Sequence, residues 1–286
     1  MITGTTKLLG IIGDPVKHSL SPLMHNAALA EMGLDYVYVP FPVAPDQLKR
    51  AIAGFEAIHV QGFSITIPHK QAIMPLLDDI SPMAQAVGAV NTVYRTDRGW
   101  SGTNTDVVGF VAPLKAMERD WSTTSVVVLG NGGAARAVVA GCAELGCTQV
   151  QIVGRHWEKL QEFQASWQES PIQVPLSIHR WEDVSQVLPT ADLVVNTTPV
   201  GMSPQVEASP LTEAEISVLS PGAIAYDLIY VPNPTRFLQL AEAHGAIALD
   251  GLEMLVQQGV AALEIWVNRP VPVDTMRQTL KHYLGL

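Results

Sequence analysis

The sequence predicts an α/β chain of two domains, and three observations carry that reading. Short strand-like and helix-like runs alternate through residues 1–106. A Gly-rich turn, Gly130-Asn131-Gly132-Gly133-Ala134-Ala135, stands directly between a strand-like and a helix-like run. Beyond Asp250-Gly251, two helix-like runs follow with no strand between them.

In the first part, strands are expected over Leu8–Ile12, Asp35–Pro40, Ile58–Ile67 and Ala89–Tyr94. These runs are rich in β-branched and aromatic residues and bounded by Gly, Pro or Asp. Helices are expected over Pro22–Glu31, Asp46–Ile52 and Met83–Val87. Such alternation predicts a mainly parallel sheet covered by helices. After Asn104-Thr105-Asp106 the pattern restarts with a helix over Val107–Met117, the strand Ser125–Leu129, the Gly-rich turn and the helix Ala134–Leu145. Strands over Gln149–Val153, Leu193–Asn196, Ala223–Asp227 and Ile247–Leu249 complete a doubly wound, Rossmann-type nucleotide-binding pattern. The helices Leu252–Trp266 and Val273–Tyr283 are expected to return to the first domain. The expected division is therefore 1–106 with 251–286, and 107–250, with a ligand cleft between the two.

Composition narrows the function classes. Of 286 residues, 48% are hydrophobic and 15% charged, the profile of a folded chain with a sizeable core. A net charge of −10 argues against nucleic acid or an anionic membrane surface as partner, and no apolar run approaches spanning length. Without a signal-peptide pattern, the chain is expected to be soluble and cytoplasmic. Cys142 and Cys147 lie in or just after an Ala-rich helix, where buried free thiols are expected rather than a disulfide. The histidines show no metal-ligand spacing, and no G-x-S-x-G elbow is present. A small-molecule substrate is expected; the residues leave the oligomeric state open, a homodimer included.

The Gly130–Ala135 turn reads G-x-G-x-x-A in the context that this motif requires. Gly130 permits the tight turn, Gly132 lets a pyrophosphate approach the backbone, and Ala135 lets helix and strand pack closely. The helix N-terminus then offers unpaired N–H groups to phosphates. At the end of the next strand, Val153-Gly154-Arg155-His156 lacks the acidic residue that holds the ribose 2′-hydroxyl of NAD. Arg155 instead suits a 2′-phosphate, which favours NADP. A solvated surface arginine is the plainer alternative.

Three segments carry the remaining chemistry. Ser19 and Ser21 lie on a strand-to-helix loop, where hydroxyls suit an oxygen-rich ligand; Ser21 before Pro22 also reads as an N-cap. Phe63-Ser-Ile-Thr-Ile-Pro-His-Lys70 alternates, with Phe63, Ile65 and Ile67 on one face and Ser64 and Thr66 on the other. Lys70 then falls in the first helical turn, where the helix dipole disfavours a cation. That local conflict points to function, although an exposed lysine is common. Gly102-Thr-Asn-Thr-Asp106 presents polar side chains before a helix, with Asn104 or Asp106 a candidate N-cap. Should Asp106 meet Lys70, it would orient the ammonium and oppose the dipole. Asn91 falls in the middle of a strand-like run, an unusual place for an amide. Of Gln257 and Gln258, one is expected to face inward among apolar neighbours.

Taken in order, these blocks resemble the shikimate dehydrogenase family through most of the chain. The residues carrying the resemblance are His18–Pro22, Thr66–Lys70, Gly88–Thr92, Asn104–Asp106, Gly130–Ala135, Asn196–Met202, Asp227–Tyr230 and Met254–Gly259. The resemblance implies reversible NADP-linked interconversion of 3-dehydroshikimate and shikimate in aromatic amino-acid biosynthesis. It implies Lys70 and Asp106 as the catalytic pair, and Ser19 and Ser21 on the substrate carboxylate. Thr66, Asn91, Asp106 and Gln258 would hold the ring hydroxyls, with Tyr230 nearby. For the cofactor it implies Gly130, Asn131, Gly132, Gly133, Ala134, Ala135, Arg155, Thr197, Thr198, Leu228 and Gly251.

Two departures stand out. Where the family commonly has Gly-x-Asn-Val-Thr, this chain has Gly62-Phe63-Ser64-Ile65-Thr66. Where it commonly has Asn-Arg-Thr, this chain has Gly154-Arg155-His156, and His156 is a candidate second donor to the phosphate. The rival readings are a quinate/shikimate dehydrogenase that also accepts quinate or NAD, and a catalytically silent sensor. Retention of both Lys70 and Asp106 weighs against the sensor.

Overall fold

A computed structural model describes residues 2–168 and 170–286. The chain forms two units, each with its own six-stranded sheet. In chain order the first carries β1 (Lys7–Gly13), α1 (Ser21–Glu31), β2 (Tyr36–Pro42), α2 (Leu48–Ala57), β3 (Gly62–Ile65) and α3 (His69–Ala72). It continues with β4 (Asp79–Ile80), α4 (Pro82–Val87), β5 (Thr92–Thr96), β6 (Gly99–Thr103) and α5 (Asp106–Lys115). The second carries β7 (Ser125–Leu129), α6 (Gly133–Leu145), β8 (Gln149–Gly154), α7 (Trp157–Gln168), β9 (Leu176–Arg180) and α8 (Val184–Val187). It ends with β10 (Leu193–Asn196), α9 (Glu213–Ile216), β11 (Ile224–Asp227), α10 (Arg236–Ala243) and β12 (Ile247–Leu249). The chain closes with α11 (Leu252–Val267) and α12 (Val273–Leu284).

The first sheet has strand order β2-β1-β3-β5-β6-β4. Its pairings are parallel except β3 with β5 and β5 with β6, so the sheet is mainly parallel with an antiparallel hairpin inserted. One apolar layer against it contains Ile12, Ile52, Phe55, Phe63, Ile65 and Trp100. The second sheet has order β12-β11-β10-β7-β8-β9, parallel throughout. Its central strands are buried on both faces, which explains their near-continuous Val, Ile and Leu runs. The order reverses at β7 and β10, the switch point beside which doubly wound sheets hold ligands.

The units divide between Gly109 and Phe110 and between Met254 and Leu255, inside α5 and α11 rather than in the loops before them. The reason is local packing. Phe110 stacks on Tyr226 at 5.4 Å, and a side chain at Gly141 of α6 would collide with it. Just before α11, a Cβ at Gly251 would meet the Leu228 carbonyl oxygen at 2.2 Å, whereas one at Gly259 within α11 would meet Met24 of α1.

Several sequence expectations need correction. The strand expected over Ile58–Ile67 is only Gly62–Ile65, because Ile58 caps α2 and His59 takes a left-handed φ of 57°. Ile67 therefore lies beyond the strand and is 70% exposed instead of sharing the face of Phe63. The strand expected from Ala89 begins at Thr92, so Asn91 precedes β5. Ser21 is the first helical residue of α1 after Leu20 and makes no side-chain cap. β4, β6 and β9 carry too little apolar alternation to be read from the sequence.

Cys142 and Cys147 are free and buried. Gly146, at φ 79°, ends α6 in a left-handed turn; Cys147 N–H donates to the Cys142 carbonyl and Gly146 N–H to the Ala143 carbonyl. In this Schellman geometry the two residues are the pair expected to touch across the helix end. The thiols meet in a hydrogen bond that raises Cys142 and lowers Cys147.

The return of α11 rests on Trp266, whose Nε1 donates to the Val93 carbonyl at 2.9 Å while its ring packs near Tyr38 and His25. Trp266→Ala is expected to cost about 3–5 kcal/mol, read as a lowered denaturation midpoint in urea.

Candidate active site

In the first unit, the candidate residues converge through their own hydrogen bonds. Lys70, on the single turn of α3, reaches Asp106 at the start of α5 with Nζ to Oδ2 at 2.5 Å. Their side chains are 18% and 8% exposed. A four-residue helix aligns few peptide dipoles, so the carboxylate rather than the helix end is the group that governs the ammonium. Asn91 Nδ2 donates to Asp106 Oδ1 at 2.8 Å and to Thr105 Oγ1 at 3.0 Å. Asn91 Oδ1 in turn accepts from the Thr105 N–H at 2.7 Å and the Thr92 hydroxyl at 3.0 Å. Both amide hydrogens are thus committed within the protein, and the residue acts first as a brace for Asp106.

Backbone bonds fix the same constellation. Val90 N–H donates to the Lys70 carbonyl, Ile65 N–H to the Asn91 carbonyl and Asn91 N–H to the Thr103 carbonyl. Asn104 accepts the Asp106 N–H and donates to the Ala89 carbonyl, so it is Asn104 that turns the chain into α5. Asp106 is left to face Lys70. Thr105, 3% exposed, was missed by sequence reasoning, although the Asn-Thr-Asp triplet that contains it was the available signal.

The hydroxyl-bearing loop is set from below. Ser19 Oγ accepts the Ser21 N–H at 3.3 Å. Tyr38 on β2 donates its hydroxyl to Ser64 Oγ at 2.9 Å and is also hydrogen-bonded to Ser21. Burial raises the Tyr38 phenol well above its usual range, against the pull of those two bonds. His25 stacks on Tyr38 at 4.3 Å, and burial pushes its imidazole down to about 3, so it stays neutral. Tyr38 lies within the strand expected over Asp35–Pro40, and nothing in the sequence marked it as the support for two serines. Thr66 N–H donates to the Ile12 carbonyl, joining the end of β3 to β1. Gln258, on α11, turns its Nε2 back onto the Leu255 carbonyl at 2.7 Å. No bond among the described residues joins it to Lys70 or Asp106. Tyr230 belongs to the second unit, half-buried in the loop after β11.

The second unit contains a cradle that suits a dinucleotide. Gly130 has φ 102°, and a Cβ there would meet Thr197 Oγ1 at 2.8 Å. Gly132 opens onto space, with nothing within 4 Å of where its Cβ would be. The thirteen-residue α6 starts from Gly132 with no side-chain cap, so the N–H groups of Gly133, Ala134 and Ala135 remain available to phosphate oxygens. Asn131 lies half-buried on the same turn, and Arg155 and His156 are exposed at the end of β8.

Thr197, Thr198, Leu228 and Gly251 gather around one buried network. Thr197 donates to the Leu129 carbonyl, and Thr198 donates both N–H and hydroxyl to Asn196 Oδ1. Asn196 Nδ2 donates to Asp227 Oδ1 at 3.0 Å, and Asp227 also accepts from the Ile229 N–H and the Thr235 hydroxyl. Leu228 N–H donates to the Asn196 carbonyl, and Gly251 N–H to the Ile229 carbonyl. Asn196 and Asp227, fully buried, therefore shape the loops after β10 and β11.

A parallel sheet of the dinucleotide-binding type, with a partly buried lysine–carboxylate pair in the other unit, fits the class of nicotinamide-dependent oxidoreductases. Comparison with known proteins narrows it. The model described as "Shikimate dehydrogenase substrate binding domain" matches residues 11–93. "Shikimate / quinate 5-dehydrogenase" matches 114–219 and "Shikimate 5'-dehydrogenase C-terminal domain" matches 251–281. A Trichormus variabilis protein named shikimate dehydrogenase (NADP(+)) is 62% identical over 288 residues, covering 100% of both chains. A Thermus thermophilus shikimate 5-dehydrogenase, solved in complex with NADP(H) and shikimate, is 32% identical with a TM-score of 0.84, covering 97% of this chain and 99% of its own. A 5-ketofructose reductase of Gluconobacter is also similar, at 33% identity and a TM-score of 0.85, covering 98% of this chain and 100% of its own. The chain belongs to the shikimate dehydrogenase family. Among its described residues, no helix is long and apolar enough to cross a membrane.

Burial pushes the Asp227 carboxyl up from 3.8 to about 6, against the hydrogen bonds from Thr235, Ile229 and Asn196. The fold thus favours the neutral form, a contribution whole below about pH 4 and lost as pH rises through about 6. Asp227→Asn is expected to exceed the wild type in stability on the order of 2 kcal/mol above that range. The gain should vanish toward pH 4, as read from melting temperatures across pH.

Proposed function

We propose that this chain catalyses the reversible NADP-linked interconversion of 3-dehydroshikimate and shikimate, a step in aromatic amino-acid biosynthesis, with Lys70 and Asp106 moving the proton. The observation that carries this reading is the 2.5 Å contact between Lys70 and Asp106, braced by Asn91, in a chain of this family. When bound, NADP supplies the hydride acceptor or donor. Lys70 Nζ gives a proton to the substrate oxygen as the carbonyl becomes a hydroxyl, and takes it back in reverse. Asp106 Oδ2 keeps the ammonium aimed, while its Oδ1 is held by Asn91. Removing that carboxylate would leave a partly buried cation without its partner.

Ser19 and Ser21 are assigned to the substrate carboxylate; the Tyr38 contact restricts how the Ser21 hydroxyl turns. Thr66, Asn91, Asp106 and Gln258 are assigned to the ring hydroxyls, and Tyr230 to substrate binding. The Gly130–Ala135 turn would hold the pyrophosphate. Thr197, Thr198, Leu228 and Gly251 form loops of fixed shape for the rest of the dinucleotide, and Arg155 would hold the 2′-phosphate. The functional division is 1–106 with 251–286 for substrate and 107–250 for cofactor. Two buried free thiols suit a reducing, cytoplasmic setting.

The test is reduction of NADP⁺ by the purified chain with shikimate, repeated with quinate and with NAD⁺. Turnover with shikimate and NADP⁺ supports the reading; absence of turnover overturns it in favour of a sensor. Comparable rates with quinate or NAD⁺ would mark the broader-specificity enzyme. Lys70→Ala is expected to lower kcat by ~10²–10⁴-fold with shikimate binding largely retained. Loss of binding alone would overturn the role given to Lys70.

A further inference from the structure

A Cβ on Gly154 would lie 2.9 Å from Leu160 Cδ2 on α7, so a side chain there would require Leu160 to shift. Gly154 offers no side-chain donor where the family commonly places an amide. The 2′-phosphate subsite then draws only on the segment from Arg155 and His156 to Lys159 in the first turn of α7, unless another strand contributes.

One does. β8 ends at Gly154 and β9 ends at Arg180, and the two residues are partners in the parallel register. Neighbouring strands run about 4.8 Å apart, so Arg155 leaves the sheet edge beside Arg180. The Arg180 guanidinium lies over the Trp157 ring at 4.9 Å, at the first residue of α7. Stacking engages the face of the guanidinium and leaves its N–H edge for an anion. Among the described residues its carboxylate contact is Glu182, at 4.0 Å with both side chains half or more exposed, a pair that contributes little. Arg155 has no hydrogen bond or ion pair among the described residues. The register that pairs Arg180 with Gly154, the residue before Arg155, brings two arginines to one end of the sheet in a chain of net charge −10, a local exception to the overall charge. Such an exception suits a dianionic phosphate, which planar guanidinium forks bind in a bidentate manner.

We propose that Arg180 is a second arginine of the adenosine 2′-phosphate subsite, contributed from β9 and steadied by Trp157, and that it determines preference for NADP over NAD. The inference rests on the cofactor reading above and extends it to a residue outside the Gly154-Arg155-His156 segment.

The test is steady-state kinetics of shikimate oxidation with NADP⁺ and with NAD⁺ for the wild type, Arg180→Ala, Arg180→Lys and Arg155→Ala. Arg180→Ala is expected to raise KM for NADP⁺ about tenfold, the scale of one lost charged hydrogen bond, and to move KM for NAD⁺ less than about twofold. Arg180→Lys should recover part of the loss. Binding of 2′,5′-ADP to the cofactor-free protein, measured by titration calorimetry, should weaken in Arg180→Ala while binding of ADP does not. Equal changes with both cofactors, or no change with NADP⁺, overturn the proposal. If Arg155→Ala loses NADP⁺ preference and Arg180→Ala keeps it, only the role of Arg180 falls. If the wild type itself does not prefer NADP⁺, the cofactor reading and the proposal fall together.

Discussion

The buried Asn91 side chain decides where the Lys70 ammonium can point. Its amide connects the Thr105 backbone, the Thr92 hydroxyl and the Asp106 carboxylate, and Asp106 in turn meets Lys70. Each of these groups is costly to bury alone, so the set is stable only when complete. That mutual dependence turns three separated chain segments into one constellation: the turn of α3, the residue before β5 and the start of α5.

The second unit solves a similar problem with a similar device. Asn196 at the end of β10 and Asp227 at the end of β11 are fully buried and bonded to each other. Together they satisfy the backbone of the loops that follow, which an apolar pair could not do. In both units a short polar side chain at a strand end, or just before a strand, holds the chain in a conformation that regular hydrogen bonding does not provide. The difference lies in exposure of the product. In the first unit the network ends on an ion pair that is partly exposed; in the second it ends on a carboxyl that burial pushes up to about 6.

Much of this was legible in the chain. The Gly130–Ala135 turn announces its own conformation, since glycine alone tolerates φ 102° at Gly130 and close approach at Gly132. The fully buried strands of the second sheet read as continuous apolar runs. The first sheet was harder: β4 and β6 are short and poor in apolar residues, and β6 begins with Gly99 held against Asp78. Periodicity also overran the strand near Ile58, because an apolar residue that caps a helix looks the same as one that starts a strand.

By itself, the sequence determined the two-domain α/β class and the dinucleotide turn, and it singled out Lys70 as a candidate for chemistry. These follow from local rules: periodicity, glycine conformation, and a lysine in a helical turn where a cation is out of place. Only the tertiary structure decided that Asn91 braces Asp106, that Tyr38 supports Ser21 and Ser64, and that Arg180 ends its strand beside Gly154. Those relations join residues far apart in the chain. They depend on strand order and register, which residue type at a single position does not encode.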